Sequence, residues 1–183
     1  MGYTHYWERP KELDQEKFSA FSKDVRIIFE ASRTIKILLS VDSIKNPEPL
    51  ADDEQICFNG KGEGSHETFH LPRIFEPLEW MKPSEAGLYF QFCKTFRKPY
   101  DLTVMVVLIA FKHHFDNVIV TSDGGDSEWT PAKLLCNEIF KYGLYFKLDQ
   151  EITLNPEKVY GLKIIEINDL SELKDLSNVH DEN

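Results

Sequence analysis

Residues 99–115, PYDLTVMVVLIAFKHHF, contain a nearly uninterrupted apolar run. Proline is favoured at the start of a helix, and Asp101 early with Lys112, His113 and His114 late complement the helix dipole. We therefore predict a helix here, although the many β-branched residues keep two short strands as an alternative. A helix that is apolar on every side is a buried one, so this segment is predicted to lie at the centre of the fold.

The rest of the chain predicts two more helices and a set of strands. Asp14 is a predicted N-cap for a helix over 14–32. Thr130 is a predicted N-cap for a helix over 130–142, with Pro131 at its first position. Apolar or alternating segments bounded by Gly and Pro predict strands at 2–7, 35–41, 55–59, 66–71, 88–92, 118–122 and 158–167. The predicted fold is a single α+β domain, with a mixed, mostly antiparallel sheet covered by about three helices.

The chain divides by composition into two parts. Residues 1–150 are the predicted α+β core, and residues 151–183 are an acidic C-terminal extension. Residues 166–183 carry six acidic residues and one Lys. We expect a further strand at 158–167 and mobility in the last few residues.

Charge and composition exclude several classes of protein. The chain has 183 residues with 21 Lys+Arg and 31 Asp+Glu, a net charge of −10. Such an acidic protein is not expected to bind nucleic acids in general or to coat a membrane. It contains no apolar run near the ~20 residues of a membrane span and no signal peptide at its start. Three widely spaced cysteines fit a reducing compartment, so we expect a cytoplasmic protein.

Three cations stand immediately before the predicted central helix. Lys94, Arg97 and Lys98 fall where a helix N-terminus already presents free N–H groups and partial positive charge. Folding alone would favour acidic residues there, whereas binding of a phosphate or carboxylate would favour Lys and Arg. The structural alternative is that Asp101 pairs with Arg97 and the lysines are solvated.

These cations predict a pocket for an anionic ligand. We expect a binding module for a nucleotide-like or other phosphorylated small molecule. Arg97 would bind phosphate with two hydrogen bonds, and Lys94 and Lys98 would supply charge. Asn59 would orient the ligand, and an aromatic ring would stack on a base. The aromatic candidates are Tyr3, Trp7 and Tyr100.

Two other functions remain open at this stage. One is a hydrolase acting on such a ligand, with His5 or Glu67 as general base and Asp123 as a carboxylate for a metal. The other is an acidic interaction or inhibitor module that binds a host protein. Cys93 beside Lys94 is either a nucleophile or, equally well, a buried inert thiol. The sequence assigns no cofactor.

Residues 66–70, HETFH, match the zinc-protease pattern HExxH, but we predict no metal site there. That chemistry needs both histidines on one face of a helix, and Pro72 ends any helix within a turn. In a strand His66 and His70 would lie about 13 Å apart. The preceding Gly60, Gly62 and Gly64 predict a flexible hairpin loop, with a lid over a ligand as the alternative.

Several strings resemble an uncharacterised protein family of bacteria and tailed phages. They are residues 2–7 (GYTHYW), 58–60 (FNG), 67–69 (ETF), 92–101 (FCKTFRKPYD) and 122–124 (SDG), followed by Trp129. The resemblance covers residues 2–143 and implies a shared fold. The family carries no assigned activity, and a phage setting would favour roles in host takeover or defence against the host.

Overall fold

The computed structural model describes residues 2–41 and 48–149. This part of the chain forms an α+β fold with three helices, as the sequence predicts. It has seven strands, of which the one at Leu50–Ala51 falls where the sequence predicts no strand. The helices are α1 (Gln15–Thr34), α2 (Asp101–His114) and α3 (Thr130–Phe140). The strands are β1 (Thr4–Arg9), β2 (Leu39–Ser40), β3 (Leu50–Ala51), β4 (Gln55–Gly60), β5 (Phe69–Pro72), β6 (Tyr89–Lys94) and β7 (Ile119–Ser122).

The strands form two antiparallel sheets where the sequence suggested one. The first sheet has the order β6-β1-β7, so the N-terminal strand is central. In the second sheet β4 pairs with β2 and β3 and also with β5. Every pairing is antiparallel.

Helix α2 is the centre of the fold, as its composition predicts. Residues 103–111 are all buried, and α2 packs against both α1 and α3. Within this apolar interface the hydroxyls of Ser32 and Thr103 form a buried hydrogen bond of 2.8 Å. No helix in residues 2–41 and 48–149 has both the length and the apolar character that crossing a bilayer would require.

The predicted strand over 35–41 is wrong except at its end, β2. Helix α1 continues to Thr34, and the next residues close its C-terminus. Lys36 takes a left-handed conformation with φ of 66°, and the N–H of Ile37 donates to Ser32 O. This is the Schellman motif, which supplies N–H donors to the last carbonyls of the helix. Residues 35–37 belong to this motif and are therefore not part of a strand.

Other boundaries shift by a few residues. Asp14 caps α1 as predicted, because its carboxylate accepts from the Lys17 N–H. Thr130 is the first helical residue of α3 and not its cap. The predicted strand over 66–71 is only β5, and Gly62–Gly64 form a short 3₁₀ turn inside the predicted loop. The predicted strand at 158–167 and the acidic extension lie outside the described residues.

Candidate active site

The register of the first sheet places a thiol, an imidazole and a hydroxyl in one row. β1 pairs with β6 so that His5 lies opposite Cys93, and β1 pairs with β7 so that His5 also lies opposite Ser122. Residues directly opposite each other in an antiparallel sheet point to the same face. His5 therefore lies between Cys93 and Ser122 on the face that the core covers.

Both ring nitrogens of His5 have hydrogen-bond partners. The side chain is 0% exposed. Its Nδ1 lies 3.0 Å from Ser122 Oγ, and its Nε2 lies 2.8 Å from Asp101 Oδ1. Tyr3 and Trp129 pack edge-on against the imidazole, with ring centroids 5.2 and 5.1 Å away.

The partners of Ser122 and Asp101 assign the protons of this network. The Asp101 carboxylate can only accept, so Nε2 of His5 carries the imidazole hydrogen and donates to it. In the neutral ring Nδ1 is then an acceptor, and the Ser122 hydroxyl donates to it while one of its own lone pairs accepts from the Gly124 N–H at 3.1 Å. The Asp101 carboxylate also accepts the Thr95 hydroxyl. The result is a Ser–His–Asp chain built from β7, β1 and the first turn of α2.

An exposed ion pair lies over the network. The Arg97 guanidinium sits 3.8 Å from the centroid of the Tyr3 ring and donates to Glu128 Oε1 at 2.8 Å. Phe96 and Arg97 both take left-handed conformations, with φ of 55° and 56°. Non-glycine residues adopt this region at an energetic cost, and such strain concentrates at functional sites.

The three predicted cations do not converge on one concavity. Arg97 is paired with Glu128, and its side chain is 58% exposed. The Lys98 ammonium donates to the Glu63 carbonyl at 2.9 Å. Lys94 follows Cys93 on β6, so its side chain leaves the sheet on the face opposite His5. The predicted pairing of Asp101 with Arg97 is replaced by Asp101 with His5.

The predicted polar residues hold the local structure together. Asn59 closes the turn before β5, accepting from the backbone of Gly60 and His66. Glu67 accepts from the Lys94 N–H at 2.8 Å. Asp123 binds the Thr4 N–H and the Tyr6 hydroxyl, both at 2.9 Å. The side chains of Asn59, Glu67 and Asp123 therefore stabilise local strands and turns.

The predicted stacking aromatics are buried. Trp7 packs on Phe69 and donates to Gln91, and Tyr100 donates from its hydroxyl to the Glu67 carbonyl. Neither ring offers a face to a ligand, since both residues are almost fully covered. Tyr3 is also buried, between His5 and Arg97.

The thiol beside His5 is inert. Cys93 is 0% exposed, and burial raises its pKa to about 12. A thiol is a nucleophile only as the thiolate, so the inert alternative fits Cys93 better than the nucleophile. The hydroxyl on the other side of His5, Ser122, is half-buried and therefore more accessible.

The last two residues of the HExxH string, Phe69 and His70, lie in β5 and alternate between buried and exposed as predicted. Phe69 and Leu71 are buried, and His70 is exposed and bonds Gln55 at 3.0 Å. His66 instead bonds the Lys94 carbonyl at 2.8 Å. In the part of the chain that the structure describes, no three His, Cys, Asp or Glu side chains are grouped so as to hold a metal ion.

Sequence reasoning missed the roles of Ser122 and Thr95. The sequence predicts Asp101 only as a partner of the helix dipole or of Arg97, and Ser122 only as the end of a strand and as part of a resembling string. One local signal existed, because Ser122 ends a strand immediately before Asp123, Gly124 and Gly125, a place where functional side chains are common. The pairing of β1 with β7, which brings Ser122 to His5, has no local signal.

Comparisons of the chain with protein-family models, with curated proteins and with solved structures find no match. The geometry of the His5 network is therefore the observation that bears on function.

Proposed function

We propose that this chain is a hydrolase in which Ser122 is the nucleophile, His5 the general base and Asp101 the group that orients His5. The observation that carries the proposal is the buried imidazole, bonded at one nitrogen to a serine hydroxyl and at the other to a carboxylate. Unrelated hydrolases use a serine, a histidine and a carboxylate in these roles, with the serine on Nε2 and the carboxylate on Nδ1 of the imidazole. In this chain the two nitrogens are exchanged, and the order serine–imidazole–carboxylate is the same.

The reaction that fits these groups is acyl transfer to water. Ser122 Oγ bonds to the carbonyl carbon of an ester while its proton passes to Nδ1 of His5. Asp101 stabilises the imidazolium through the Nε2 hydrogen. The imidazolium then protonates the leaving alcohol as its bond to the acyl carbon breaks. A water molecule, activated in the same way, releases the carboxylic acid and restores Ser122.

Two features of the surroundings support this assignment. The indole N–H of Trp129 is buried beside His5 and has no hydrogen-bond partner among the described residues. An orphaned buried donor at a polar site is typical of a place that a water molecule or ligand oxygen occupies. A Cβ at Gly125, three residues after Ser122, would meet no atom within 4 Å. Gly125 is exposed, so the Ser122 loop borders solvent at this point.

The test is labelling with a fluorophosphonate probe together with hydrolysis of p-nitrophenyl esters. We expect the probe to label Ser122 in the wild-type protein, as shown by mass spectrometry. Ser122→Ala should abolish labelling and lower kcat/KM by about 10³-fold or more. Asp101→Asn should lower kcat by a factor on the order of 10⁴, because it disturbs the tautomer of His5.

The matched control is Ser127→Ala, which removes an exposed serine from the same loop. Circular dichroism and thermal unfolding establish that each variant folds. A folded wild-type protein that no probe labels, or a folded Ser122→Ala variant that keeps full hydrolysis, would overturn the proposal.

A second candidate function is binding of an anionic, nucleotide-like or phosphorylated ligand at Arg97. The specific observation is the Glu128 carboxylate, which already holds the guanidinium at 2.8 Å on the surface. A phosphate or carboxylate of a ligand would take the place of Glu128 with similar geometry. The two functions are compatible, since the ligand could be the anionic part of an ester substrate.

Calorimetric titration with ATP and with a sugar phosphate tests this second function. We expect Arg97→Ala to weaken binding by about tenfold or more, the typical effect of losing a charged hydrogen bond. Lys141→Ala is the matched control, because Lys141 is an exposed cation at the end of α3. Equal binding by wild type and Arg97→Ala would contradict the assignment.

A further inference from the structure

The outer face of the first sheet carries exposed aromatic side chains. Phe90 and Phe92 of β6 are 50% and 55% exposed. Tyr6 of β1 stacks on Phe90 with centroids 5.8 Å apart, and Phe90 and Phe92 lie 6.1 Å apart. A solvated sheet face normally carries polar residues, so a contiguous aromatic patch there indicates a binding surface.

The backbone of β6 is open at the same place. The Thr95 N–H donates to Tyr3 O, which fixes the alternation along β6. Cys93, Gln91 and Tyr89 then point their N–H and C=O groups at β1. The backbone groups of Phe92 and Phe90 point away from β1, and β6 is the edge strand of this sheet.

The open edge is limited to these two residues. At one end the N–H and C=O of Lys94 are both bonded to Glu67. At the other end the C=O of Leu88 accepts from the Ser84 N–H. Within the described part of the chain, the N–H and C=O groups of Phe90 and Phe92 have no partner. Unpaired edge groups of this kind are the usual template for adding a strand.

A groove runs along this edge. Its volume is about 590 Å³, and its wall is made by β6 and by the loop before it. Phe75, Leu78, Trp80 and Met81 line it, and Trp80 is 74% exposed. The groove supplies apolar surface for the side chains of a segment that the edge binds through its backbone.

The charged residues around the groove favour a basic binding partner. The loop over 75–88 carries three acidic residues and one Lys. Glu76 and Lys82 line the groove, and Glu8 lies opposite Phe90 on β1. With Glu79 and Glu85 on the same loop, acidic residues outnumber basic ones around the groove. A second copy of this acidic chain would bring like charges together. A longer strand from such a copy would also have to pair at Lys94, where Glu67 already bonds the backbone. A basic segment would be attracted.

We propose that the edge of β6 at Phe90 and Phe92 binds an extended segment of a partner protein as a fourth strand, and that this segment alternates apolar with Lys or Arg side chains. Four backbone hydrogen bonds would give affinity, and the groove and the acidic rim would give specificity. This surface lies on the sheet face opposite Ser122 and does not depend on the proposed hydrolase.

Amide hydrogen exchange and peptide binding test the proposal. In the free protein the amides of Phe90 and Phe92 should exchange fast, and those of Tyr89, Gln91 and Cys93 slowly. A fluorescein-labelled peptide, Ac-Lys-Val-Lys-Phe-Lys-Val-NH₂, should bind in fluorescence anisotropy and slow the exchange of Phe90 and Phe92. The same peptide N-methylated at every residue should not bind, because neither of its edges then has a backbone donor.

A double variant, Phe90→Ser with Phe92→Ser, should bind the peptide at least about tenfold more weakly. Leu134→Ser, which changes an exposed apolar residue on α3, is the control and should bind like wild type. Failure of the Lys peptide to bind, or equal binding of its N-methylated or all-Glu counterpart, would overturn the proposal. Dimerisation of the wild type that the double variant abolishes would overturn it too, since the occupant would be a second copy.

Discussion

The candidate site depends on single residues that bond the buried imidazole of His5. A fully buried imidazole needs partners at both nitrogens, since an unpaired buried polar group is destabilising. Ser122 and Asp101 provide them at 3.0 and 2.8 Å. An apolar residue at this position would stabilise the fold about as well as the buried imidazole does. We therefore interpret the hydrogen-bond network of His5 as functional.

Adjacent glycines on the Ser122 loop should differ sharply in their tolerance of a methyl group. A Cβ at Gly124 would overlap the Tyr3 hydroxyl and the Glu128 carboxylate, whereas a Cβ at Gly125 would meet nothing. We expect Gly124→Ala to lower the free energy of unfolding by about 1–3 kcal/mol and Gly125→Ala to leave it nearly unchanged. Urea unfolding measures both. Equal effects of the two substitutions would contradict the packing around Tyr3.

The three cysteines should react with iodoacetamide in an order set by burial. Burial raises the pKa values of Cys93 and Cys136 to about 12, so both thiols are protonated at pH 8. Cys57 is only half-buried, although burial raises its pKa as well. We expect mass spectrometry to find Cys57 labelled first in the native protein. The denatured protein, in which all three thiols react, is the control; early labelling of Cys93 would refute its inert role.

At the scale of elements, α2 both fills the core and positions the site. Its first residue, Asp101, is the carboxylate that holds His5, and its third residue, Thr103, bonds Ser32 of α1. A helix apolar on all sides has few features that fix its rotation about its own axis. The buried hydroxyl pair supplies one, because it is satisfied in only one register of α2 against α1.

Removing one of these hydroxyls should cost more than removing both. Thr103→Val leaves Ser32 without its partner and should lower the free energy of unfolding by about 1–3 kcal/mol. Ser32→Ala combined with Thr103→Val should recover most of the loss, because no buried polar group is then left unpaired. Urea unfolding of the two single variants and the double variant forms the cycle. Strictly additive losses would show that the pair is not coupled.

At the scale of the whole molecule, a buried arginine joins the two sheets. Arg9, the last residue of β1 in the first sheet, is 0% exposed. Its guanidinium donates to the carbonyls of Pro72 and Arg73, at the end of β5 in the second sheet, and to those of Pro10 and Lys11. Burial lowers its pKa to about 10, so the group stays charged at neutral pH.

Substitution of Arg9 should therefore loosen the junction between the sheets. Arg9→Met leaves several buried carbonyls without donors, and we expect a loss of about 3 kcal/mol or more in the free energy of unfolding. Arg9→Lys should recover only part, because an ammonium cannot reproduce the planar fork of donors. Arg33→Met is the matched control. Among the described residues, Arg33 makes exposed ion pairs with Glu30 and Glu48, and such pairs contribute about 0–1 kcal/mol. A loss for Arg9→Met no larger than that of Arg33→Met would contradict the junction.

Patterns in the sequence alone predict the α+β class, the three helices and the central place of α2. They also place Tyr3, His5 and Trp7 on one face of β1, but they do not predict that all three are buried. These features depend on hydrophobic periodicity, capping and turn residues, which act over a few neighbouring positions.

Only the tertiary structure decided which strands pair and therefore what His5 touches. Ser122 lies 117 positions from His5 in the chain, and Asp101 lies 96 positions away. Three other features also depend on the tertiary structure. They are the split into two sheets, the burial of Arg9, and the separation of the side chains of Lys94, Arg97 and Lys98. Strand pairing depends on the sum of long-range packing over the whole core, and no local pattern encodes that sum.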